Sequence, residues 1–197
     1  MASSAFDTWS EGRASRLAQL LDAHSRIEGH GATGRRWRTG QFNRLLVLAL
    51  ASEFQGFCRD LHDECGAALV NYGVAGKPVV GQILLDRLHD ARQLDRGNAN
   101  PGSLGADFGR LGIELWPELA KRDERTQIRQ AQLERLNKAR NAIAHAQESD
   151  LSTLAHDGFP MTLRTYRSWF SSTSGLAETM DRTLWQYLRT VTGSPPW

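Results

Sequence analysis

The chain has 197 residues, of which 40% are hydrophobic and 23% charged, and its formal net charge is +2. This length predicts one domain with a sizeable core, and the near balance of charge excludes a protein that wraps duplex nucleic acid through its overall charge. Apolar runs stay below the roughly 18 residues that a membrane span needs. The N-terminal sequence MASSAFDTWSEGR lacks the basic and apolar segments of a secretion signal.

Hydrophobic periodicity predicts helices along almost the whole chain, with no strand and no internal repeat. The helices are expected over residues of about 8–27, 41–70, 78–96, 106–111, 115–146 and 163–191. The second of these is apolar on all sides over 45–51, which is typical of a central buried helix. We therefore predict a single all-α domain over 1–197, a bundle of five to six helices with a loose tail at about 192–197.

The two cysteines favour a reducing compartment. Cys58 and Cys65 lie in one predicted helix, where seven residues give a rise of roughly 10 Å, beyond disulfide reach within the chain. We interpret them as reduced core residues, because a metal site of this kind needs a Cys-x-x-Cys pair. With no predicted membrane span and no secretion signal, this indicates a soluble protein of the cytoplasm.

One stretch of the long fifth helix, LNKARNAIAHAQES, combines polar residues with small ones. At about 100° per residue, Arg140 falls at the edge of the apolar stripe of Leu136 and Ile143. Asn141 and His145 lie one turn apart on the outward side, where Asn141 is placed to orient the imidazole and alanines leave room for a ligand. Imidazole moves protons readily near neutral pH. The alternative is that His145 is an ordinary surface residue.

A charged residue at the edge of a core needs a partner. Glu53 of the second helix falls on the inward line of Leu46, Leu50 and Phe57. A buried Glu53–Arg140 ion pair would satisfy both charges, and we predict that pair. The alternative is that each residue only clamps the packing around it.

The string RNAIAH resembles the Arg-x4–6-His motif of HEPN (higher eukaryotes and prokaryotes nucleotide-binding) domains, all-α bundles that carry it on a late helix. LVLALASEFQGFCRDL is similar to the long second helix of toxin- and defence-associated members, and LAETMDRTLWQYL is similar to their closing helix. The resemblance covers most of residues 40–191. Members with an intact motif are metal-independent ribonucleases in which the Arg and His of two protomers meet across a dimer.

This resemblance implies a homodimeric endoribonuclease, a toxin or phage-defence effector that acts on RNA without a metal or another cofactor. Arg140 would stabilise the scissile phosphate, His145 would shuttle the proton, and Asn141 would be the polar residue that follows the Arg. An antitoxin is implied as well, such as a small nucleotidyltransferase-type protein. The alternatives are a non-catalytic HEPN module that binds nucleotides or a partner, and a helical regulator in which the motif is purely structural.

The chemistry of RNA agrees with a dimer. Cleavage by the 2′-hydroxyl needs a base, an acid and cationic donors for the charge that develops at phosphorus. One histidine cannot easily stand on both sides of the phosphorus, whereas the two copies of His145 in a twofold dimer can.

GRRWRTG places Arg35, Arg36 and Arg38 around Trp37, which predicts RNA binding through phosphate contacts and base stacking. The alternative is that Trp37 caps the core beside solvated arginines. The mixed charges of ELAKRDERTQIRQ are interpreted as a solvated face. Five further histidines lack the spacing of metal ligands and are interpreted as structural or surface residues: His24, His30, His62, His89 and His156.

Overall fold

The structure is a computed structural model that describes residues 1–28 and 35–197, with side-chain detail for residues 1–24, 26 and 39–197. In these residues the chain is predominantly helical and forms no strand, so the predicted all-α class is confirmed. None of the described helices combines the length and the apolar composition needed to cross a bilayer.

The elements follow one another along the described chain in the order α1 (Ser4–Asp7), α2 (Ala14–Glu28), α3 (Arg35–Ala68), α4 (Pro78–His89), α5 (Gln93–Arg96), α6 (Pro101–Gly109), α7 (Leu115–Arg122), α8 (Thr126–Ala144), α9 (Glu148–His156) and α10 (Leu163–Thr192). A π-helical segment, Thr8–Arg13, joins α1 to α2, and a second one, Leu69–Gly73, extends α3.

The centre of the bundle is α3, as its sequence predicts. It packs against α2, α8 and α10, and its residues at helical spacing are fully buried, among them Leu46, Leu50, Phe54, Phe57 and Leu61. A helix with neighbours on several sides must be apolar around most of its circumference. The expected central role of this helix is therefore confirmed, although Leu45, at the start of the all-apolar stretch 45–51, is exposed.

The closing helix, α10, covers one side of α3 with a stripe of large buried residues that includes Tyr166, Trp169, Met180 and Leu184. It begins at a threonine cap, where the Thr162 hydroxyl accepts a hydrogen bond of 3.3 Å from a first-turn amide. It ends at a glycine with a left-handed backbone conformation. This element matches its predicted range closely.

The predicted number of five to six helices is too low for the described residues, and several predicted boundaries are wrong; the helix expected over 106–111, for example, is α6, which begins at Pro101. The expected helix over 115–146 is two helices, because α7 ends at the extended residue Asp123, whose side chain accepts a hydrogen bond of 2.9 Å from the amide of Arg125 and holds the turn that precedes α8. The expected helix over 78–96 is α4 and α5, separated at Ala91, whose φ is 57°. The segment before α10 contains α9, which buries only Leu151 and Leu154 and is too short for its periodicity to be recognised.

Two arginines brace the bundle by lying in notches made by glycines. Arg13 lies against Gly56 of α3, where a Cβ would overlap its guanidinium, and it pairs with Glu53 at 2.8 Å and Asp60 at 2.6 Å. Arg129 of α8 lies in the same way against a glycine of α10, Gly175, and pairs with Asp123. Each brace joins two elements that are distant in sequence.

Candidate functional site

The candidate site lies at the end of α8, where the backbone turns sharply. Gln147 N donates 2.8 Å to Ala142 O and Ala146 N donates 3.3 Å to Ile143 O, which is the Schellman pattern. Ala146 stands at its left-handed position with φ 52°, where glycine is the usual residue. His145 is therefore the C-cap residue of α8, and its exposed side chain lies at the end of the helix.

Arg140 and Asn141 lie on the turn of α8 that precedes His145. The half-buried Arg140 donates a hydrogen bond of 3.3 Å from Nη1 to Asn141 Oδ1, and Asn98 donates from Nδ2 to the same oxygen at 2.5 Å. The loop that carries Asn98 is held against α8 because Asn137 Nδ2 donates to Ala99 O at 3.1 Å. With its oxygen used twice, Asn141 has its NH2 group to offer a ligand.

Two clefts meet at Lys138 and Asn141. The first, of about 370 Å³, is lined by Asn98, Asn100, Pro101, Gly102, Glu134, Asn137, Lys138 and Asn141. The second, of about 430 Å³, is lined by Lys138, Asn141, Gln147, Asp150, Thr153, Leu154 and Asp157. Both volumes are in the range of small-ligand sites, and most of the lining groups are amides, charges and hydroxyls that can bind polar ligands.

Helix α3 packs against α8 and is joined to the start of α9, just beyond this end of α8. Arg44 binds Glu148, at the start of α9, through two hydrogen bonds of 2.7 Å, and these bonds hold the pKa of that carboxyl below its usual value. Three turns further along α3, Gln55 donates to Leu94 O at 2.8 Å and to Gly97 O at 2.6 Å. Leu45, the residue after Arg44, has a side chain that is 57% exposed.

The predicted Glu53–Arg140 pair is wrong. Glu53 binds Arg16 at 2.8 Å and Arg13 at 2.8 Å, and the hydrogen bond from Arg16, with the one from Arg13, holds the pKa of Glu53 below its usual value. Glu53 thus turns toward the N-terminal helices and stands outside the site. The helical period gives the angle of a side chain about its own axis, but it does not say which neighbouring helix lies there.

The predicted orientation of His145 by Asn141 is also wrong. The amide of Asn141 is held by Asn98 and Arg140, and among the described side chains no hydrogen bond joins it to the imidazole. His145 N donates a helical hydrogen bond of 3.0 Å to Asn141 O, so the two residues do lie one turn apart, but the side-chain oxygen of Asn141 is bound to Asn98 and Arg140 instead.

The sequence-predicted residues Arg35, Arg36, Trp37 and Arg38 form the start of α3, and their side chains lie outside the described residues. Their role in RNA binding stays a prediction. Asn98 and Lys138, in contrast, were not predicted. Lys138 resembles any exposed lysine that pairs with a glutamate one turn away, here Glu134 at 3.1 Å, and nothing in the local sequence of Asn98 indicates its contact with α8.

Searches of protein-family models, of curated proteins and of solved structures found no match to this chain. The site is defined by its own geometry: a half-buried arginine, an anchored amide, an exposed imidazole and two polar clefts around a lysine.

Proposed function

We propose that this chain is a metal-independent endoribonuclease of the HEPN type, acting as a homodimer. The observation that carries the proposal is at the end of α8. Arg140 has no carboxylate partner among the described side chains, although it is half-buried, and the exposed His145 caps the same helix. A cation without a counter-charge on the same helix end as an exposed imidazole is suited to a phosphodiester anion.

Each residue has a separate role in the reaction. The 2′-oxygen forms a bond to phosphorus as the bond from phosphorus to the 5′-oxygen breaks. One His145 accepts the proton of the 2′-hydroxyl, and His145 of the second copy donates a proton to the leaving 5′-oxygen. Arg140 stabilises the charge on the phosphorane oxygens, and the NH2 group of Asn141 binds a phosphate or ribose oxygen.

The need for two imidazoles is the reason for a dimer. Each chain supplies one His145, at a helix end that faces away from the core, so a twofold axis beside it brings two copies together. The exposed Leu45 directly follows Arg44, which binds the start of α9 just after His145, and it offers apolar area for such a contact.

The biological setting follows from the same resemblance. A ribonuclease of this kind acts on cytoplasmic RNA as a toxin or phage-defence effector. It needs an inhibitor in the cell that makes it, and a small nucleotidyltransferase-type antitoxin fits that need.

A second candidate function is a non-catalytic module that binds nucleotides or a partner. The two polar clefts beside Asn141 favour it, because they are lined by groups that can hold a nucleotide without cleaving it. In that case Arg140 and His145 bind phosphate and transfer no proton.

The test is incubation of the purified protein with total RNA in the presence of a chelator. We expect cleavage by the wild type and its loss in His145→Ala. His156→Ala, which removes another exposed histidine at the end of α9, is purified in the same way and should cleave normally. Equal cleavage by all three proteins would indicate a contaminating nuclease and contradict the proposal. RNA binding without cleavage would support the non-catalytic module.

A further inference from the structure

A second polar cluster lies where the end of α4 meets α3. The spacing of these histidines along the chain does not indicate a common site, but the fold brings His62, Asp63 and His89 together so that one ligand atom of each lies within 4.8 Å of the others. His89 Nε2 is 3.0 Å from Asp63 Oδ1, and His62 Nδ1 is 3.9 Å from the same oxygen. His62 is fully buried, whereas His89 is exposed at the surface.

The surroundings of His62 fix its tautomer. Its Nε2 lies 3.2 Å from the carbonyl oxygen of Asp107, which can only accept, so Nε2 carries the hydrogen and Nδ1 presents a lone pair to the cluster. The Asp107 carboxylate is itself held by the amides of Gln93 and Leu94, both at 2.8 Å. An imidazole that donates its other N–H to a backbone carbonyl is the usual arrangement of a metal-bound histidine.

A cation already lies against these lone pairs. Arg92 Nη1 contacts Asp63 Oδ1 and lies 3.4 Å from His62 Nδ1, while its Nε and Nη2 bind Asp95, each at 2.9 Å. Because Nε and Nη2 bind Asp95, which balances the charge of the guanidinium, Nη1 can move away from His62 and Asp63 while Arg92 keeps its contact with Asp95, and an ion can take the place of Nη1. Asp63 Oδ1, the oxygen that lies 3.0 Å from His89 Nε2 and 3.9 Å from His62 Nδ1, is then available to the ion.

We propose that His62, Asp63 and His89 bind one divalent transition-metal ion of the kind that prefers imidazole, such as Zn²⁺. Two histidines and one carboxylate form a common three-ligand set for zinc, with water at the fourth position. Bonds of about 2.0 Å require ligand atoms roughly 3.3 Å apart, so His62 and His89 must draw closer. His89 can move, because it is exposed at the last position of α4.

The ion would fasten α4 to the bundle. Only Gly81 and Leu88 of this helix are buried, and Val79, Val80 and Ile83 are exposed, so few contacts hold α4 in place. A metal bond from His89 to two residues of α3 adds a fixed point at its end. This site is independent of the proposed cleavage of RNA, in which the ion takes no part.

The first test is metal binding by chelator-treated protein, measured by calorimetry with Zn²⁺ and by the visible absorption of Co²⁺. We expect one ion per chain and at least about tenfold weaker binding in His89→Ala and Asp63→Asn, since loss of even an outer partner costs 10–100-fold. Both side chains are partly exposed, so these variants should fold. His156→Ala should bind as the wild type does. No saturable binding, or unchanged binding in both variants, would overturn the proposal.

The second test is amide hydrogen exchange with and without Zn²⁺. Exchange in α4 should slow in the wild type on addition of Zn²⁺ and should not change in His89→Ala. If Zn²⁺ binds but the rate of amide exchange in α4 does not change, the ion does not fasten this helix.

Discussion

The side-chain amides of Asn98 and Asn141 are joined by a hydrogen bond of 2.5 Å across 43 residues of sequence. The bond attaches the loop before α6 to the last turns of α8, and it fixes which end of the Asn141 amide is left for a ligand. In the proposed ribonuclease, Asn98 is thus a positioning residue that acts through Asn141.

Replacing Asn98 with alanine should weaken RNA cleavage without unfolding the protein. A hydrogen bond of this kind contributes about 0.5–1.5 kcal/mol, which corresponds to a loss of roughly two- to tenfold if it is expressed in the reaction. The loss should be measured as kcat/KM, beside the melting temperature. Asn71→Ala removes an exposed asparagine elsewhere and should have no effect on cleavage. Equal kcat/KM in the two variants would show that the Asn98 contact is only structural.

The ends of the cleaved RNA should carry a 2′,3′-cyclic phosphate and a 5′-hydroxyl. The 2′-hydroxyl is the nucleophile in the proposed mechanism, so RNA with a 2′-O-methyl group at the cut site should resist cleavage. His145→Ala should lose about 10²–10⁴-fold in rate, the usual contribution of general acid–base catalysis. The measurement is end-mapping of a defined oligonucleotide. A 5′-phosphate product, or activity that needs added Mg²⁺, would mean that the mechanism is wrong.

Leu45→Arg should abolish the proposed dimer, because it places a charge in the apolar contact that we expect next to Arg44, the residue that binds the start of α9. Light scattering should show a dimer for the wild type at micromolar concentration and a monomer for the variant, and cleavage should fall with the loss of the dimer. Ile128→Arg is the matched control, since Ile128 is 65% exposed at the start of α8, far along that helix from His145. A monomeric wild-type protein that still cleaves RNA would contradict the composite site.

Glycine at position 146 should stabilise the fold, whereas glycine at 144 should destabilise it. Ala146 has φ 52°, a conformation that costs an L residue about 1–2 kcal/mol, and glycine removes that cost at an entropic loss of about 0.5–1 kcal/mol. Ala144 is helical and exposed, so only the loss applies. Urea unfolding should therefore give free-energy changes of opposite sign. A decrease for both variants would exclude strain at Ala146.

Glu53→Gln should lower the free energy of unfolding by about 1.5–3 kcal/mol at neutral pH, the size of a hydrogen bond between charged groups. Because its arginine partners hold the pKa of Glu53 below its unfolded value, the stabilisation is complete above about pH 4.5 and is lost as pH falls through the folded pKa. The difference between wild type and variant should therefore shrink as pH falls below the unfolded pKa of about 4.5. Denaturant unfolding at several pH values measures it, and a constant difference would contradict the assignment.

The sequence predicts the parts of this fold in which one long helix repeats an apolar pattern over several turns. The apolar stripes of α3 and α10 repeat over many turns and locate three of the four ends of these helices to within two residues. The exception is the start of α3, which lies at Arg35 and was expected at about 41. The breaks at Asp123 and Ala91 were not predictable, because each depends on a local backbone contact and leaves the apolar period almost unchanged. Short α9 carries too few buried residues to show a period at all.

In the candidate site, too, the local sequence predicts some features, whereas others depend on how the helices pack. Arg140, Asn141 and His145 are close in sequence, so their common location at the end of α8 follows from the motif itself. The partner of Glu53 could not be predicted, because arginines on several elements can reach an inward carboxylate and only the packing selects Arg13 and Arg16.

The glycine notches under Arg13 and Arg129 have a consequence for how this sequence can change over evolution. A methyl group at Gly56 or Gly175 would displace a guanidinium from its carboxylate, and the freed charge would then be costly in its partly buried place. Each of these arginines can therefore be kept only while the glycine beneath it is kept. In diverged homologues, positions 13 and 56 should covary, as should positions 129 and 175, and these pairs report direct contact between elements that the helical period leaves unconnected.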